Sequence, residues 1–272
     1  MSAGGAEPMS AGGAEPMSAG GAGPMSAGGA GPAALTVDIR SKIYGAGGPE
    51  PVEAVRDLGF SLHAREITCL IGPSGAGKTT TLRILLGLDT AYDGSVTPDP
   101  ETAGIAMVFQ EPRLLPWRTV EQNVRLALPR TARGRDLDAL FESLGLTPWR
   151  RRYPGALSLG MARRVALARA LAQSPRILVL DEPFVSLDDA SAAALRGLVV
   201  DSVTGTGMGV LMVTHNVAEA IAIADRLVLV SARPARRVAT VALDRPREAR
   251  DRPWADATRA DLAGRYPGII AV

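Results

Sequence analysis

The sequence is poor in several residue types, and each shortage limits what the protein can be. It contains a single cysteine, Cys69, so disulfide-stapled secreted folds are excluded. Because Cys69 lies in an apolar run, we predict a small, buried side chain there. No apolar run approaches the roughly 20 residues that a transmembrane helix requires, and the first residues lack the charged and apolar segments of a secretory signal.

The net charge is small, and lysine is also scarce. The formal net charge is +2, so the total charge gives no strong attraction to nucleic acid, and we expect no nucleic-acid partner. Only two of the 30 lysine and arginine residues are lysines, Lys42 and Lys78, and the only histidines are His63 and His215. We interpret this composition as that of a GC-rich bacterial genome. Each rare lysine or histidine is a candidate for a specific role.

The N-terminal segment has low complexity. Residues 1–32 repeat an eight-residue unit, MSAGGAEP twice and then MSAGGAGP twice. Such a unit has nothing to bury, so we predict that residues 1–33 are disordered, as a repeat expansion without a role or the result of a mis-assigned start. An ordered domain is predicted over residues 34–244. The polar, proline-broken tail at 245–272 gives no prediction of structure.

The apolar runs predict an α/β fold. Two segments alternate in polarity and predict antiparallel strands joined by a turn at 45–51, namely 35–39 and 55–62. Runs that are nearly continuous in apolar residues predict strands buried on both faces, at 67–71, 105–109, 177–180, 210–213 and 227–230. Helical patterns between several of these strands imply a mostly parallel sheet, at 79–86, 187–200 and 217–224. Only helical patterns occupy 112–174, which we predict to be a helical insert, at 120–128, 137–144 and 159–171.

A glycine-rich loop between a predicted strand and a predicted helix fits the pattern G-x-x-x-x-G-K-[ST]. Its residues are Gly72, Pro73, Ser74, Gly75, Ala76, Gly77, Lys78, Thr79 and Thr80. Glycines let main-chain N–H groups converge on phosphate oxygens, and the helix adds its positive N-terminal end. Lys78 can reach the β- and γ-phosphates, and the Thr79 hydroxyl can ligate Mg²⁺. The sequence therefore predicts a Mg-ATP site.

Two carboxylates follow the apolar strand at 177–180. Open α/β sheets bind ligands at the carboxyl ends of their strands, and Asp181 and Glu182 lie at such an end. We predict that Asp181 holds Mg²⁺ through water and that Glu182 polarises the attacking water as general base. Together with the phosphate loop, this pair predicts an ATPase.

A third motif surrounds Ser158. This serine is a natural N-cap for the helix predicted at 159–171, and its hydroxyl and the first free N–H groups form a second phosphate site. Because the chain already has a phosphate loop, such a site suits the nucleotide of a partner. An ordinary capped helix is the other interpretation, and the residues alone leave both open.

The order of these motifs resembles the ATP-binding subunits of ABC transporters, from about Leu35 to Leu243. The segment 158–161 stands where that family has its LSGGQ signature. The stretch VFQEPRLLPWR at 108–118 and the RPAR segment at 233–236 resemble a subgroup that serves nitrate, sulfonate and taurine importers. The resemblance implies a P-loop NTPase core with a mostly parallel sheet, an antiparallel β subdomain and a helical insert.

The resemblance also implies further roles. Gln110 would contact Mg²⁺ and water, His215 would contact the γ-phosphate, and Tyr44 would stack on adenine. The segment 186–188, with Asp188, would contact a second subunit, whose ATP would bind Ser158 and Gly160. Catalytic roles would fall to Lys78, Gln110, Glu182 and His215. Residues 113–118 would lie near the groove that receives a coupling helix of a membrane subunit.

The family pattern is not matched everywhere. Leu159 replaces the first glycine of the signature, and Ala156 replaces a polar residue. A leucine fits if its φ is negative, but its side chain could crowd the partner's nucleotide, so the expected effect is on hydrolysis more than on ATP binding. The glycine-rich insertion after Tyr44 weakens the expectation of an adenine stack.

The resemblance predicts an importer ATPase that works as a pair of copies with a separate membrane permease and, indirectly, a substrate-binding protein. It would be a peripheral protein on the cytoplasmic face of a bacterial inner membrane and take up a nitrate-, sulfonate- or taurine-type solute. Two alternatives stay open: a soluble cassette ATPase acting on nucleic acid or ribosomes, and a non-hydrolysing regulatory cassette. Binding to DNA and ribosomes would test the first, and an ATPase assay the second.

Overall fold

The computed structural model describes residues 1–2 and 33–270, so the disorder predicted for 1–33 lies almost entirely outside the described residues. The strands are β1 Ala33–Tyr44, β2 Val52–His63, β3 Ile67–Ile71, β4 Asp93–Thr97, β5 Ile105–Val108, β6 Ile177–Asp181, β7 Gly209–Thr214, β8 Arg226–Val230 and β9 Arg237–Ala242. The α-helices are α1 Lys78–Leu85, α2 Val120–Arg125, α3 Asp138–Ser143, α4 Leu159–Leu171, α5 Asp189–Thr206, α6 Val217–Ile223 and α7 Arg252–Arg265. Short 3-10 helices lie at Arg130–Ala132, Thr147–Trp149, Pro154–Ala156 and Arg247–Ala249.

A six-stranded sheet forms the centre of the fold, in the order β5-β6-β7-β3-β8-β9. The first five strands in that order are parallel, and β9 runs antiparallel at the edge. Successive side chains of β3 enter two different apolar clusters, with Cys69 and Ile71 on one face and Leu70 on the other. Because both faces are covered, these strands consist mostly of apolar residues, and Thr68 of β3 is itself buried. The predicted α/β fold and the burial of Cys69 are confirmed.

A separate three-stranded antiparallel sheet, β2-β1-β4, covers one face of the central sheet. Val37 and Leu58 from this sheet share a cluster with Val213 and Val228 from the central one. The opposite face is covered by helices, including the insert after β5, where the described residues between 112 and 174 contain no strand. The antiparallel subdomain and the helical insert are thus placed on opposite sides of the parallel sheet.

The C-terminal segment is more ordered than its sequence suggests. The tail at 245–272 contains α7, which begins after the N-cap Asp251 and contributes Leu262 to the main core. The guanidinium of Arg250 donates hydrogen bonds to the carbonyls of Ile221 and Ala224, at 2.8 and 2.7 Å. Residues 245–270 therefore pack as part of the same body.

Strands β4 and β9 were also not predicted. Each is a short edge strand with one buried residue or none, so it gives no apolar run. Among residues 33–270, none of the helices combines the length and the apolarity that crossing a bilayer would take.

Candidate active site

The phosphate loop joins β3 to α1 and needs glycine for its shape. Gly75 and Gly77 have φ of +74° and +112°, which L-residues rarely adopt. A Cβ on Gly77 would also lie far inside the contact distance of the Ala54 carbonyl oxygen, and a Cβ on Gly72 would lie 2.5 Å from a methyl carbon of Val230. The close approach of β2 and β8 to the loop therefore explains these glycines.

Lys78 is the first residue of α1 and is buried, with 9% of its surface exposed. Its Nζ donates hydrogen bonds to the carbonyls of Gly72 and Pro73, at 2.7 and 2.9 Å, so the side chain folds back along the loop. Burial lowers the pKa of Lys78, and the nearby charges of Glu182 and Asp181 oppose that shift. A partly desolvated cation at a helix N-terminus is suited to bind phosphate.

Asp181 ends β6, beside the strand end that leads to Gln110. Burial raises the pKa of Asp181, and the charge of Glu182 adds to the effect, whereas Lys78 opposes it. Hydroxyl, amide and carboxylate oxygens are the ligands that Mg²⁺ prefers. Thr79, Gln110 and Asp181 offer these donors, and a bound cation would relieve the repulsion between the two carboxylates. The donor set therefore fits Mg²⁺ bound together with substrate phosphates.

Glu182 has an unusual backbone conformation, with φ of +46°. Left-handed conformations of residues other than glycine cost roughly 1–3 kcal/mol and are often found at functional sites. The Glu182 N–H donates to the Val213 carbonyl at 2.8 Å. Its carboxylate lies 2.8 Å from Nδ1 of His215 and 3.3 Å from the Thr214 hydroxyl. Pairing of β6 with β7 thus brings together the predicted base and the predicted γ-phosphate contact.

Tyr44 ends β1 next to the phosphate loop. Its hydroxyl donates to Asp89 at 3.1 Å and lies 3.4 Å from the Thr80 hydroxyl. The buried Lys42 pairs with Asp89 at 2.6 Å, and its Nζ lies 4.6 Å from the centre of the Tyr44 ring. Lys42 therefore fixes the position of Tyr44. The stacking of Tyr44 on adenine stays a prediction.

Comparisons with known proteins identify the family of this site. The sequence profile described as ABC transporter matches residues 55–185. An aliphatic sulfonates import ATP-binding protein, SsuB 2, of Burkholderia cenocepacia is 38% identical over 236 residues, 84% of this chain and 85% of the relative. The SsuB protein of Cupriavidus necator is 41% identical over 204 residues, 72% of this chain and 67% of the relative. The chain belongs to the ABC transporter ATP-binding family.

Solved structures agree with this membership. An ATP-binding cassette in a dimeric post-hydrolysis state, bound to ADP and phosphate, superposes with a TM-score of 0.64 at 26% identity, covering 78% of this chain and all of that one. A subunit of a transporter complex from Clostridium perfringens has a TM-score of 0.69 at 22% identity, covers 86% of this chain and 96% of that one, and supports the fold alone. The chain is an ATP-binding ABC ATPase, and the ATP hydrolysis predicted from its sequence is supported.

The ABC signature position is the start of α4, close to the start of α5. Ser158 caps α4 by accepting a hydrogen bond from the Met161 N–H at 3.3 Å, as predicted. Asp188 caps α5 in the same way, through the Ser191 N–H at 2.9 Å. A Cβ on Gly160 would lie 3.1 Å from the Ser191 hydroxyl, so the two helix starts abut. The roles of these residues toward a second ABC subunit stay predictions.

Leu159 is the first residue of α4 and lies outside the positive-φ region, so the backbone of the ABC signature accepts it. Its side chain is 42% exposed beside Ser158. A bulky apolar group thus stands at the surface where the family has a glycine.

Several polar contacts around the ABC site have no signal in the sequence. Arg169 of α4 donates to the Pro112 and Arg113 carbonyls, each at 2.8 Å, and so anchors the segment after Gln110. Arg233 donates through Nε to the carbonyl of Gly75 in the phosphate loop, at 3.3 Å. In a chain this rich in arginine, no local pattern distinguishes Arg169 from a solvated surface arginine. The RPAR segment marks Arg233 but does not indicate that it contacts the phosphate loop.

Proposed function

We propose that this chain is the ATP-hydrolysing subunit of an importer for aliphatic sulfonates or related small anions, working with a separate membrane permease. The observation that carries the chemistry is the cluster of Lys78, Asp181, Glu182 and His215 at the end of the phosphate loop and of two parallel strands. Support for the transported solute comes from the two relatives, both described as aliphatic sulfonates import ATP-binding proteins.

In this proposal the carboxylate of Glu182 accepts a proton from water as the water oxygen attacks the γ-phosphorus. The bond between the γ-phosphorus and the β–γ bridging oxygen breaks, and ADP and phosphate leave. Lys78 and the main-chain N–H groups of the loop stabilise the charge on the phosphate oxygens. His215, held at Glu182 by the 2.8 Å contact, contacts the γ-phosphate. Water orientation and charge stabilisation together account for the catalysis.

Mg²⁺, when bound, neutralises charge on the phosphates. The Thr79 hydroxyl, Gln110 and Asp181 would hold it, with Asp181 acting through water. Burial and the charge of Glu182 raise the pKa of Asp181, and a bound cation would counteract this shift by stabilising the ionised carboxylate.

We further propose that two copies face each other, with ATP between the phosphate loop of one and the Ser158 end of α4 in the other. The dimeric state of the similar post-hydrolysis cassette supports this arrangement. Residues 113–118 would face the permease, where Trp117 is 69% exposed. Exposed aromatic side chains are enriched at protein interfaces. The complex, with its substrate-binding protein, would operate at the cytoplasmic face of the inner membrane.

The role of Glu182 is tested by Glu182→Gln. We expect this variant to bind ATP, to form a dimer in its presence, and to lose turnover by roughly 100- to 10,000-fold. Glu219→Gln is the matched control, because Glu219 also lies 3.3 Å from the Thr214 hydroxyl but has no proposed role in catalysis. Wild-type turnover by Glu182→Gln would show that the base is wrongly assigned.

The transported solute is tested by growth. A strain lacking this gene should fail to grow with aliphatic sulfonates as its only sulfur source, and the wild-type gene should restore growth whereas Glu182→Gln should not. Unimpaired growth on sulfonates, together with a defect on nitrate or taurine, would move the assignment to that solute.

A further inference from the structure

A buried arginine links α4 to the end of β6. Arg163 has 5% of its surface exposed, although it lies in a helix whose other arginines are more exposed. Its Nη1 donates to the carbonyls of Glu182 and Pro183, at 3.1 and 2.6 Å, and its Nη2 donates to the carbonyl of Val185 at 2.7 Å. Three main-chain oxygens directly after the catalytic strand are therefore held by one side chain.

The segment that Arg163 holds does not favour its own conformation. Glu182 has a φ of +46°, and a residue that precedes proline, as Glu182 precedes Pro183, is biased toward extended conformations. The Glu182 N–H is fixed by the Val213 carbonyl, but the peptide that follows has no N–H to donate, because it belongs to proline. The carbonyl side of Glu182 is held by Arg163.

Burying the Arg163 cation costs free energy, which indicates that its hydrogen bonds to the turn have a functional role. Burial lowers the pKa of Arg163, with Glu219 as the opposing charge. Its Nε is buried and has no hydrogen-bond partner among the residues that the structure describes. An apolar side chain would avoid both costs, yet it could not hold three carbonyl oxygens.

We propose that Arg163 is a positioning residue that locks the left-handed turn at Glu182 and so aims its carboxylate at the attacking water. Because Arg163 and Ser158 lie on the same helix, this link also joins the carboxylate rigidly to the end of α4 proposed to bind the partner's ATP. The inference rests on the proposed role of Glu182 and goes beyond it by naming what holds that side chain in place.

The test is a set of variants assayed with the full chain. Arg163→Met should lower kcat by roughly 10- to 100-fold, the effect of a displacement of about 1 Å at a reacting group, and leave ATP affinity within about twofold. Arg163→Lys, which keeps the charge and can reach some of the three carbonyls, should recover part of the loss. Arg164→Met is the control, because Arg164 is the next residue of α4 and donates to the Leu144 carbonyl, away from Glu182.

A double-mutant comparison separates positioning from stability. If Arg163 acts through Glu182, adding Arg163→Met to Glu182→Gln should cause no further loss of the residual turnover, measured with enzyme in excess over ATP. An equal fold loss in both backgrounds would overturn the inference, and so would wild-type kcat in Arg163→Met. If Arg163→Met does not fold, Arg163→Lys decides: reduced kcat with unchanged affinity supports the inference, and wild-type kcat overturns it. Wild-type turnover by Glu182→Gln would instead refute the proposed base.

Discussion

Alanine at Gly77 should damage the phosphate loop far more than alanine at Gly75, although the two glycines are two residues apart. At Gly75 the φ is +74° and a Cβ would meet no atom within 4 Å, so the cost is the left-handed backbone alone, roughly 1–2 kcal/mol. At Gly77 the φ is +112°, and a Cβ would strike the Ala54 carbonyl oxygen and lie 3.2 Å from the Ala235 Cβ. Backbone strain and overpacking together cost about 4 kcal/mol.

Thermal unfolding of the nucleotide-free protein measures this difference. A gap of about 2.5 kcal/mol should place the Tm of Gly77→Ala about 5–10 °C below that of Gly75→Ala at the same scan rate. Gly197→Ala is the control, because Gly197 lies inside α5 with open space around it, and alanine there should raise the Tm. Equal Tm values for the two loop variants would refute the claim that the packing of β2 against the loop makes glycine necessary at 77.

Three further predictions concern the site. Burial raises the pKa of Asp181, so its contribution to folding is complete below the ordinary aspartate pKa of about 3.9 and is lost as pH rises through the raised value; Asp181→Asn should therefore raise the Tm at neutral pH without Mg²⁺, and a lower Tm would contradict this. Burial lowers the pKa of Lys78. At a pH about one unit below the ordinary lysine pKa of about 10.4, ATP binding should therefore be accompanied by proton uptake. Calorimetry in two buffers measures this uptake, and Lys78→Ala should show none. Leu159→Gly should raise kcat several-fold without changing ATP affinity, because it removes an exposed side chain beside Ser158; an unchanged or lower kcat in an ATPase assay would show that Leu159 does not hinder hydrolysis.

Two arginines of α4 extend the site beyond the residues proposed to touch phosphate. Arg169 holds the segment after Gln110 and Arg163 holds the turn at Glu182, and both lie on α4. Two loops that flank the strand end of Asp181 are thus tied to one helix. Hydrogen bonds from α4 therefore connect the helical insert to the segment after Gln110 and to the turn at Glu182.

Features that depend only on neighbouring residues can be predicted from the amino-acid sequence. A phosphate loop requires glycines and a lysine at fixed spacing, so Gly72–Thr80 was found from the pattern alone. Strands buried on both faces are recognisable as nearly continuous apolar runs, and the predicted run at 67–71 coincides with β3. The edge strand β9 and the helix α7 contain no such apolar run. For α7, the N-cap Asp251 and the proline at 253 are nevertheless typical of a helix start.

Which distant residues meet depends on the tertiary fold. His215 and Glu182 are 33 residues apart, and the pairing of β6 with β7 brings them to 2.8 Å. Lys42 was a candidate because lysine is rare, but the fold places it in a buried pair with Asp89. Arg163 had no distinguishing mark in an arginine-rich helix. Its role depends on which carbonyl oxygens the chain brings within reach, and no local pattern encodes that.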